Sequence, residues 1–349
     1  MPRSNSRSRT GDPDLDLLVQ ELITRMGVVD DVDLVTQMIA SVVKMGRDGH
    51  ERGDLKIANQ ALRELRNSYR SFAPYRDQRK ASIFGSARTP EDSPAYAAAR
   101  EMGRVLAERD WMIITGGGPG IMTAGVEGAG RDNSFGVTIR LPFESMEGGG
   151  IVPDERMVRF RYFFTRKLTF MKESSAYVCF PGGFGTLDET FELLTLLQTG
   201  KESPSPVVLF DPPGETYWQT WRQFVLDELV PENLVSPADL NLVHLTSSVD
   251  DAADYICDFY RRYHSMRYVE GHLVLRLLEP ISDGELEALN NEFADIVANG
   301  RIERVDTSQV ELDDHDAVDL PRLALNFDNR HFARLHQLVR ALSSGLAGS

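Results

Sequence analysis

The sequence predicts an α/β fold, a three-layer sandwich in which a parallel sheet lies between two layers of helices. From residue 80 onward, short apolar runs of strand length alternate with longer helical stretches. The runs are apolar on both faces, as is typical of parallel strands that helices cover on both sides. Three of the runs lead into glycine-rich turns, at the sheet edge where ligands of such folds bind.

The pattern of elements divides the chain into successive parts. A disordered tail is predicted for residues 1–12. A helical extension with three amphipathic segments is predicted for residues 13–78. The α/β domain is expected over residues 79–265. Its predicted strands are 81–84, 112–114, 135–139, 176–180 and 207–210, and its predicted helices are 94–109, 120–130, 186–199, 218–229 and 250–263.

Residues 266–349 predict a small α+β module. Its elements follow the β-α-β-β-α order of most of a ferredoxin-like unit. They are expected as strands at 272–278, 302–310 and 320–327 and as helices at 283–298 and 331–342. We interpret the acidic stretch 311–316 as a solvated loop. The module either regulates the neighbouring domain or serves packing or oligomerisation, and the sequence leaves both open.

Composition limits the classes of function. The 349 residues suffice for about two domains. The net charge of -15 argues against general binding of nucleic acid or anionic membranes, which requires basic surfaces. No apolar run approaches the length of a membrane span. Cys179 and Cys257 are far apart and in no metal-ligand spacing, which predicts no metal, no disulfide framework and a cytoplasmic location.

The most informative run is 181–191, Pro-Gly-Gly-Phe-Gly-Thr-Leu-Asp-Glu-Thr-Phe, which joins an apolar strand to a helix. Its glycines allow a ligand to approach the backbone, and the helix N-terminus favours a phosphate. The glycines are Gly182, Gly183 and Gly185. Glu189 follows about one turn into the helix, so a carboxylate lies beside the expected phosphate. A plain strand-to-helix connection capped by Thr186 is the alternative.

Two more glycine turns follow predicted strands, one over 115–122 and one after residue 84. The residues expected at the ligand are Gly116 and Gly117 in the first and Gly85 and Ser86 in the second. A dinucleotide fingerprint would need glycine where Ile121 stands. No G-x-x-x-x-G-K-[ST] loop occurs, which argues against the usual ATPase site.

Two adjacent cations, Arg166 and Lys167, lie in an apolar and aromatic stretch just before the main motif. They are either a pair aimed at a ligand or a pair at the surface whose stems cover apolar groups. The planar fork of an arginine suits a phosphate or the ribose hydroxyls.

Five segments in order resemble the Lonely Guy family of nucleoside 5′-monophosphate phosphoribohydrolases, which often carry the label lysine decarboxylase. They are Phe84-Gly-Ser-Ala-Arg88, the 116–122 turn, Leu141-Pro-Phe-Glu144, Arg166-Lys167 and Pro-Gly-Gly-Phe-Gly-Thr-Leu-Asp-Glu. The similarity covers about residues 55–265. It implies a Rossmann-like fold and hydrolysis of a purine nucleoside 5′-monophosphate, with or without an N6 substituent, to free base and ribose 5-phosphate. It also implies a homodimer or larger assembly.

The resemblance further implies site residues. Arg166 and Glu189 correspond to the family's catalytic pair. The residues expected to bind phosphate or ribose are Gly182, Gly183, Gly185, Thr186, Gly85, Ser86, Gly116, Gly117, Lys167 and Glu144. The chain departs from short plant-type members at Thr123, where they have glycine, and in its N- and C-terminal extensions, which put base specificity and regulation in doubt.

The chemistry needs neither a cofactor nor a metal. Cleavage of C1′–N builds positive charge on the ribose, which a carboxylate such as Glu189 stabilises while water attacks. Three other functions remain as alternatives. They are a non-catalytic nucleotide or molybdopterin carrier, a nicotinamide-linked oxidoreductase, and a lysine decarboxylase with a Schiff base on Lys167 or Lys172.

Overall fold

The structure is a computed structural model that describes residues 8–140 and 151–344, and its contacts separate two compact units, Met1–Arg66 and Asn67–Ser349. The first unit is helical, with α1 (Pro13–Met26), α2 (Val32–Arg47) and most of α3 (Arg52–Phe72). The Asp12 side chain caps α1 by accepting hydrogen bonds from the first backbone N–H groups. Gly27 ends α1 with φ 67°, a left-handed conformation that glycine adopts without strain.

The second unit contains a seven-stranded sheet in the order β4-β3-β2-β1-β5-β6-β7, with every neighbouring pair parallel. The strands are β1 (Lys80–Phe84), β2 (Met112–Thr115), β3 (Ser134–Ile139), β4 (Met157–Phe160), β5 (Ala176–Cys179), β6 (Val207–Phe210) and β7 (Val243–Thr246). The predicted fold class is confirmed. The five predicted strands all occur, within one residue at each end. The edge strands β4 and β7 were not predicted, because neither is a continuous buried run.

Helices cover both faces of this sheet. They are α4 (Pro94–Glu108), α5 (Ile121–Ala129), α6 (Phe163–Glu173), α7 (Phe184–Gln198), α8 (Tyr217–Phe224) and α9 (Val249–Phe259). Apolar residues of α4, α5 and α9 pack on one face, and those of α6, α7 and α8 pack on the other. The predicted helix 218–229 continues past α8 as one π-helical segment, Val225–Leu229. Helix α6, which carries Arg166 and Lys167, was not predicted.

A second, antiparallel sheet has the order β10-β11-β9-β8. Its strands are β8 (Tyr263–Val269), β9 (His272–Leu277), β10 (Val297–Val305) and β11 (Arg322–Phe327), and its helices are α10 (Asp283–Glu292), α11 (Gln309–Asp313) and α12 (Phe332–Ser344). The predicted α+β order is present. The hairpin strand β8 is an addition, because its turn is Glu270-Gly271 with φ 50° and 89° and lacks the usual Asn-Gly signal.

Three predictions about this module need correction. The predicted helix 283–298 ends at Glu292, and β10 begins at Val297, with a register irregularity on either side of Asn299. The predicted strand 302–310 is wrong at both ends, because β10 covers Val297–Val305 and residues 309–310 lie in α11.

The prediction of a solvated loop at 311–316 is correct in its exposure for residues 312–315 but wrong for Glu311. Glu311 lies in α11, is 1% exposed, and pairs with the guanidinium groups of Arg276 and Arg322. Burial acts to raise the pKa of Glu311, but hydrogen bonds from Arg276, from the backbone and side chain of Ser308 and from Arg322 outweigh it and hold the pKa down, at about 2.

The described part of the chain lacks two features. Within residues 8–140 and 151–344, no helix is long and apolar enough to cross a membrane. The same residues contain no group of three or more His, Cys, Asp or Glu side chains arranged to hold a metal ion.

Candidate active site

Three glycine turns meet at one edge of the parallel sheet. Because β2, β1 and β5 are neighbours and parallel, their carboxyl ends lie side by side and the turns that follow them converge. They enclose an open cavity of about 760 Å³. Its described lining comprises Phe84, Gly85, Ser86, Ala87, Arg88, Gly116, Met122, Arg166, Gly182, Gly183, Phe184, Gly185, Thr186, Leu187 and Glu189.

Backbone hydrogen bonds tie the turns together. The Ser86 N–H donates to the carbonyl of Pro181, and the Ile121 N–H donates to the carbonyl of Ser86, each at 3.2 Å. The turns also approach too closely for larger residues. A Cβ on Gly85 would lie 2.6 Å from the Ile121 side chain. Gly120 has a left-handed φ of 67°, and a Cβ there would collide with the Ser86 carbonyl oxygen. The cavity wall is therefore a connected backbone frame.

The main motif forms the N-terminus of α7. The helix begins at Phe184, two residues before the predicted start, so Gly185 and Thr186 lie in its first turn. Thr186 is not the cap that the alternative interpretation required. The first N–H groups of any helix lack an intrahelical acceptor, and here they border the cavity. Apart from the adjoining backbone, a Cβ built on Gly183 or Gly185 would meet no described atom within 4 Å, so both face open space.

Gly182 has a different role from the other two glycines. A Cβ there would clash with the Thr186 side chain, which folds back over it. Its carbonyl accepts a hydrogen bond of 2.8 Å from the Tyr217 hydroxyl of α8. Gly182 therefore fixes the shape of the turn, whereas Gly183 and Gly185 leave room for a ligand.

Arg166 and Glu189 form a buried ion pair at the cavity. A guanidinium nitrogen of Arg166 lies 3.3 Å from Oε1 of Glu189, and the two side chains are 13% and 6% exposed. The Arg166 Nε–H donates to the Val137 carbonyl at 2.9 Å, and its guanidinium lies 5.1 Å from the Phe170 ring centre. The structure thus brings together two residues that are 23 positions apart in sequence.

Burial dominates the electrostatics of this pair. It raises the pKa of the Glu189 carboxyl, and the nearby Arg166 charge offsets part of this increase. Burial also lowers the pKa of the Arg166 guanidinium. Glu189 lies beyond the first turn of α7, so the helix dipole does little to favour its ionised form.

The second glycine turn contributes unequally. Gly116 lines the cavity, and a Cβ there would lie 2.7 Å from both the Arg166 guanidinium and the Met122 sulfur. Gly117 has φ 72° and faces Met157 and Thr138 instead, and it is not in the described lining of the cavity. The Thr123 hydroxyl donates to the Gly118 carbonyl at 3.0 Å, which stabilises the turn from within.

One other predicted site residue, Lys167, is described and does not line the cavity. Its amine lies 2.7 Å from carboxylate oxygens of both Asp188 and Glu192. Glu144 lies outside the described residues, as does the rest of the Leu141-Pro-Phe-Glu144 segment.

Six lining residues were not selected from sequence, namely Phe84, Ala87, Arg88, Met122, Phe184 and Leu187. Each lies within or next to a glycine turn that was selected, so its position beside the turn was the available signal. Arg88 is exposed at the rim and adds a cation to the cavity. Phe184 is 91% exposed between two glycines of the main motif.

Comparison with known proteins shows similarity over about half of the chain. Residues 109–256 match a family model described as possible lysine decarboxylase. A cytokinin riboside 5′-monophosphate phosphoribohydrolase of Arabidopsis thaliana is 28% identical over 173 residues, covering 48% of this chain and 78% of the relative. A probable enzyme of the same description from Oryza sativa subsp. japonica is 29% identical over 185 residues, covering 51% and 70%.

Solved structures similar to this chain include that of a molybdenum cofactor carrier protein of Chlamydomonas reinhardtii, with 22% sequence identity and a TM-score of 0.35. That match covers 52% of this chain and 96% of the carrier. The family match and the curated relatives confirm the family resemblance that the motifs predict, at modest sequence identity.

Proposed function

We propose that this chain, whose central part is similar to the Lonely Guy family, is a phosphoribohydrolase. It hydrolyses the N-glycosidic bond of a purine nucleoside 5′-monophosphate, with or without an N6 substituent, and releases free base and ribose 5-phosphate. The observation that carries the proposal is the buried pair of Arg166 and Glu189 at the wall of a cavity that also holds a helix N-terminus.

The 5′-phosphate binds at the start of α7. The first-turn N–H groups and the helix dipole supply donors and positive potential, and the open positions at Gly183 and Gly185 admit phosphate oxygens. Thr186 and the turn at Gly85 and Ser86 border the same space. The net charge of -15 does not oppose this, because local dipoles and Arg88 set the potential inside the cavity.

The reaction follows from a carboxylate held near the sugar. A water oxygen bonds to C1′ as the C1′–N bond breaks, and the bonding electron pair leaves with the base, which takes up a proton. Ionised Glu189 stabilises the developing oxocarbenium charge or orients the water. Arg166 remains protonated, holds Glu189 in place and contacts the substrate as a fixed cation.

The electrostatics of the site bear on the pH dependence of this reaction. Burial raises the pKa of Glu189, so the carboxylate form is reached only at a pH above the ordinary glutamate value of 4.5. Activity that needs ionised Glu189 therefore increases with pH through this elevated pKa.

The alternative enzyme classes have less support. A Schiff-base lysine must lose its proton, but hydrogen bonds to Asp188 and Glu192 raise the pKa of Lys167 despite its partial burial. Lys172 pairs with Glu173 at 2.6 Å and is not in the described cavity lining. The broken glycine fingerprint argues against a dinucleotide enzyme. A non-catalytic carrier remains the second candidate, and it has no need of a buried carboxylate beside the ligand.

We also propose a homodimer or larger assembly in the cytoplasm. Phe163 and Phe164 on α6 and Phe184 on α7 are each more than half exposed, although aromatic side chains favour burial. Aromatic side chains are enriched at protein interfaces.

The direct test is turnover of a panel of nucleotides. We expect purified protein to release base and ribose 5-phosphate in equal amounts from AMP, GMP or an N6-substituted AMP, with CMP and UMP as comparison, all measured by chromatography. Glu189→Ala should lose at least about a hundredfold in rate, because a charge that acts in the transition state is removed. Binding without release from any nucleotide would favour the carrier.

A further inference from the structure

Lys167 occupies a position unlike that of a substrate ligand. It is next to Arg166 on α6, yet its side chain contacts the face of α7 that carries Asp188 and Glu192 and does not line the cavity. There its amine lies 2.7 Å from Oδ1 of Asp188 and 2.7 Å from Oε2 of Glu192. Asp188 and Glu192 are four residues apart and therefore share one face of the helix.

Two successive residues of α6 thus hold α7 at three carboxylates. Arg166 pairs with Glu189 on the cavity side, and Lys167 bridges Asp188 and Glu192 beside it. Lys167 is 12% exposed in its side chain, so its amine has little water as an alternative partner. A bridge of this kind restricts rotation and sliding of α7 against α6.

We propose that Lys167 is a positioning residue for the reaction proposed above. It fixes the register of α7 against α6 so that Glu189 meets Arg166, and it screens Glu189 from the negative charge of Asp188. This inference rests on the proposed function, because it assigns Lys167 to the same site. It replaces the expected phosphate contact of Lys167 with a structural and electrostatic one.

The charged and titratable groups that face Glu189 support the screening role. Arg166 and Lys167 from α6 lower the pKa of Glu189, and Asp188 from its own helix raises it. The Cys179 thiol of β5 has a pKa raised to about 12 by burial, so it carries no charge at neutral pH. Removing the Lys167 charge leaves Asp188 uncompensated and makes ionisation of Glu189 harder.

The test compares Lys167→Met, Asp188→Asn and their combination. We expect the acid limb of the pH–kcat profile to move upward in Lys167→Met and downward in Asp188→Asn, with the double variant between them. Each shift should be up to about one pH unit, since water screens the half-exposed Asp188. Lys167→Arg keeps the charge, so its acid limb should stay near that of the wild type.

Two matched measurements separate positioning from substrate contact and from loss of fold. Lys172→Met removes a lysine that pairs with Glu173 on the same helix, and its profile should match the wild type. The KM for the nucleotide should change much less than kcat in Lys167→Met. A large rise in KM with an unmoved acid limb would overturn the proposal and restore Lys167 as a phosphate ligand.

A readout without turnover keeps this inference separate from the proposed function. The Glu189 carboxyl is titrated by NMR in protein with ¹³C-labelled glutamate and is assigned by the signal lost in Glu189→Gln. Lys167→Met should raise the Glu189 midpoint, whether or not any nucleotide is hydrolysed. An unchanged midpoint in a folded Lys167→Met protein contradicts the screening role. Absence of turnover in the wild type would count against the proposed function alone.

Discussion

At the scale of single residues, the glycines of the main motif have separable roles. Gly182 lacks space for a side chain because Thr186 folds over it, whereas Gly183 opens onto the cavity. Gly183 has φ -86° and ψ -160°, a conformation that alanine also adopts. A methyl group at position 182 would therefore clash with the protein itself, whereas one at position 183 would clash only with a bound ligand.

This contrast predicts opposite behaviour of two alanine variants. Gly183→Ala should keep the wild-type melting temperature and weaken ribose 5-phosphate binding, because its methyl group occupies the space of a phosphate oxygen. Gly182→Ala should lower stability by about 1–3 kcal/mol, as overpacking does. Calorimetric binding and thermal unfolding of both variants test this. Undiminished ribose 5-phosphate affinity in Gly183→Ala would place the phosphate elsewhere.

The site residues were predictable to different degrees. The glycines, Thr186 and Glu189 follow one strand in a single run, so the sequence alone places them at a helix start. The Arg166–Glu189 pair was implied by family resemblance and not by spacing, because it depends on how α6 crosses α7. The direction of the Lys167 side chain could not be predicted, because α6 was not recognised as a helix. In a helix, successive residues such as Arg166 and Lys167 point in different directions.

At the scale of elements, periodicity identified the central strands and missed those at the edges. Central strands are buried on both faces and read as continuous apolar runs, as at 207–210. Edge strand β7 is only half-buried and β4 exposes Arg159, so neither gives that signal. Helix α6 has aromatic and charged residues on several sides, which hides its period.

The acidic stretch after β10 shows the limit of composition. Charge runs normally mark solvated surface, but Glu311 is buried because two arginines on neighbouring strands meet it. Arg276 and Arg322 are directly paired across β9 and β11, a relation that only the sheet register reveals. The sequence shows which residues are charged but not which of them form pairs.

At the scale of the whole molecule, the C-terminal module packs on the α/β domain within one compact unit. Ala333 of α12 joins the core beneath the parallel sheet, and His336 lies against the segment before β6. The His336 Nε2 is 3.1 Å from the Ser205 carbonyl, which a neutral ring satisfies by donating its N–H. The ring itself is almost wholly buried.

This buried histidine predicts a pH dependence of stability. Burial lowers the pKa of His336 from 6.5 to about 4, so between these values the unfolded chain binds a proton that the folded chain does not. The free energy of unfolding therefore falls as pH decreases through this window. From about pH 7 to about pH 5, wild type should lose about 2 kcal/mol more than His336→Gln. Urea unfolding at both values measures this, and equal losses would refute it.

We infer that Glu189 acts in the chemistry and is not needed to bind the nucleotide. The decisive measurement pairs calorimetric affinity with turnover for Glu189→Gln, using the monophosphate that wild-type protein cleaves fastest. We predict an affinity within about tenfold of wild type and a rate lower by at least about a hundredfold. Wild-type protein that binds nucleotides without releasing base, or a Glu189→Gln variant with wild-type turnover, would contradict the account.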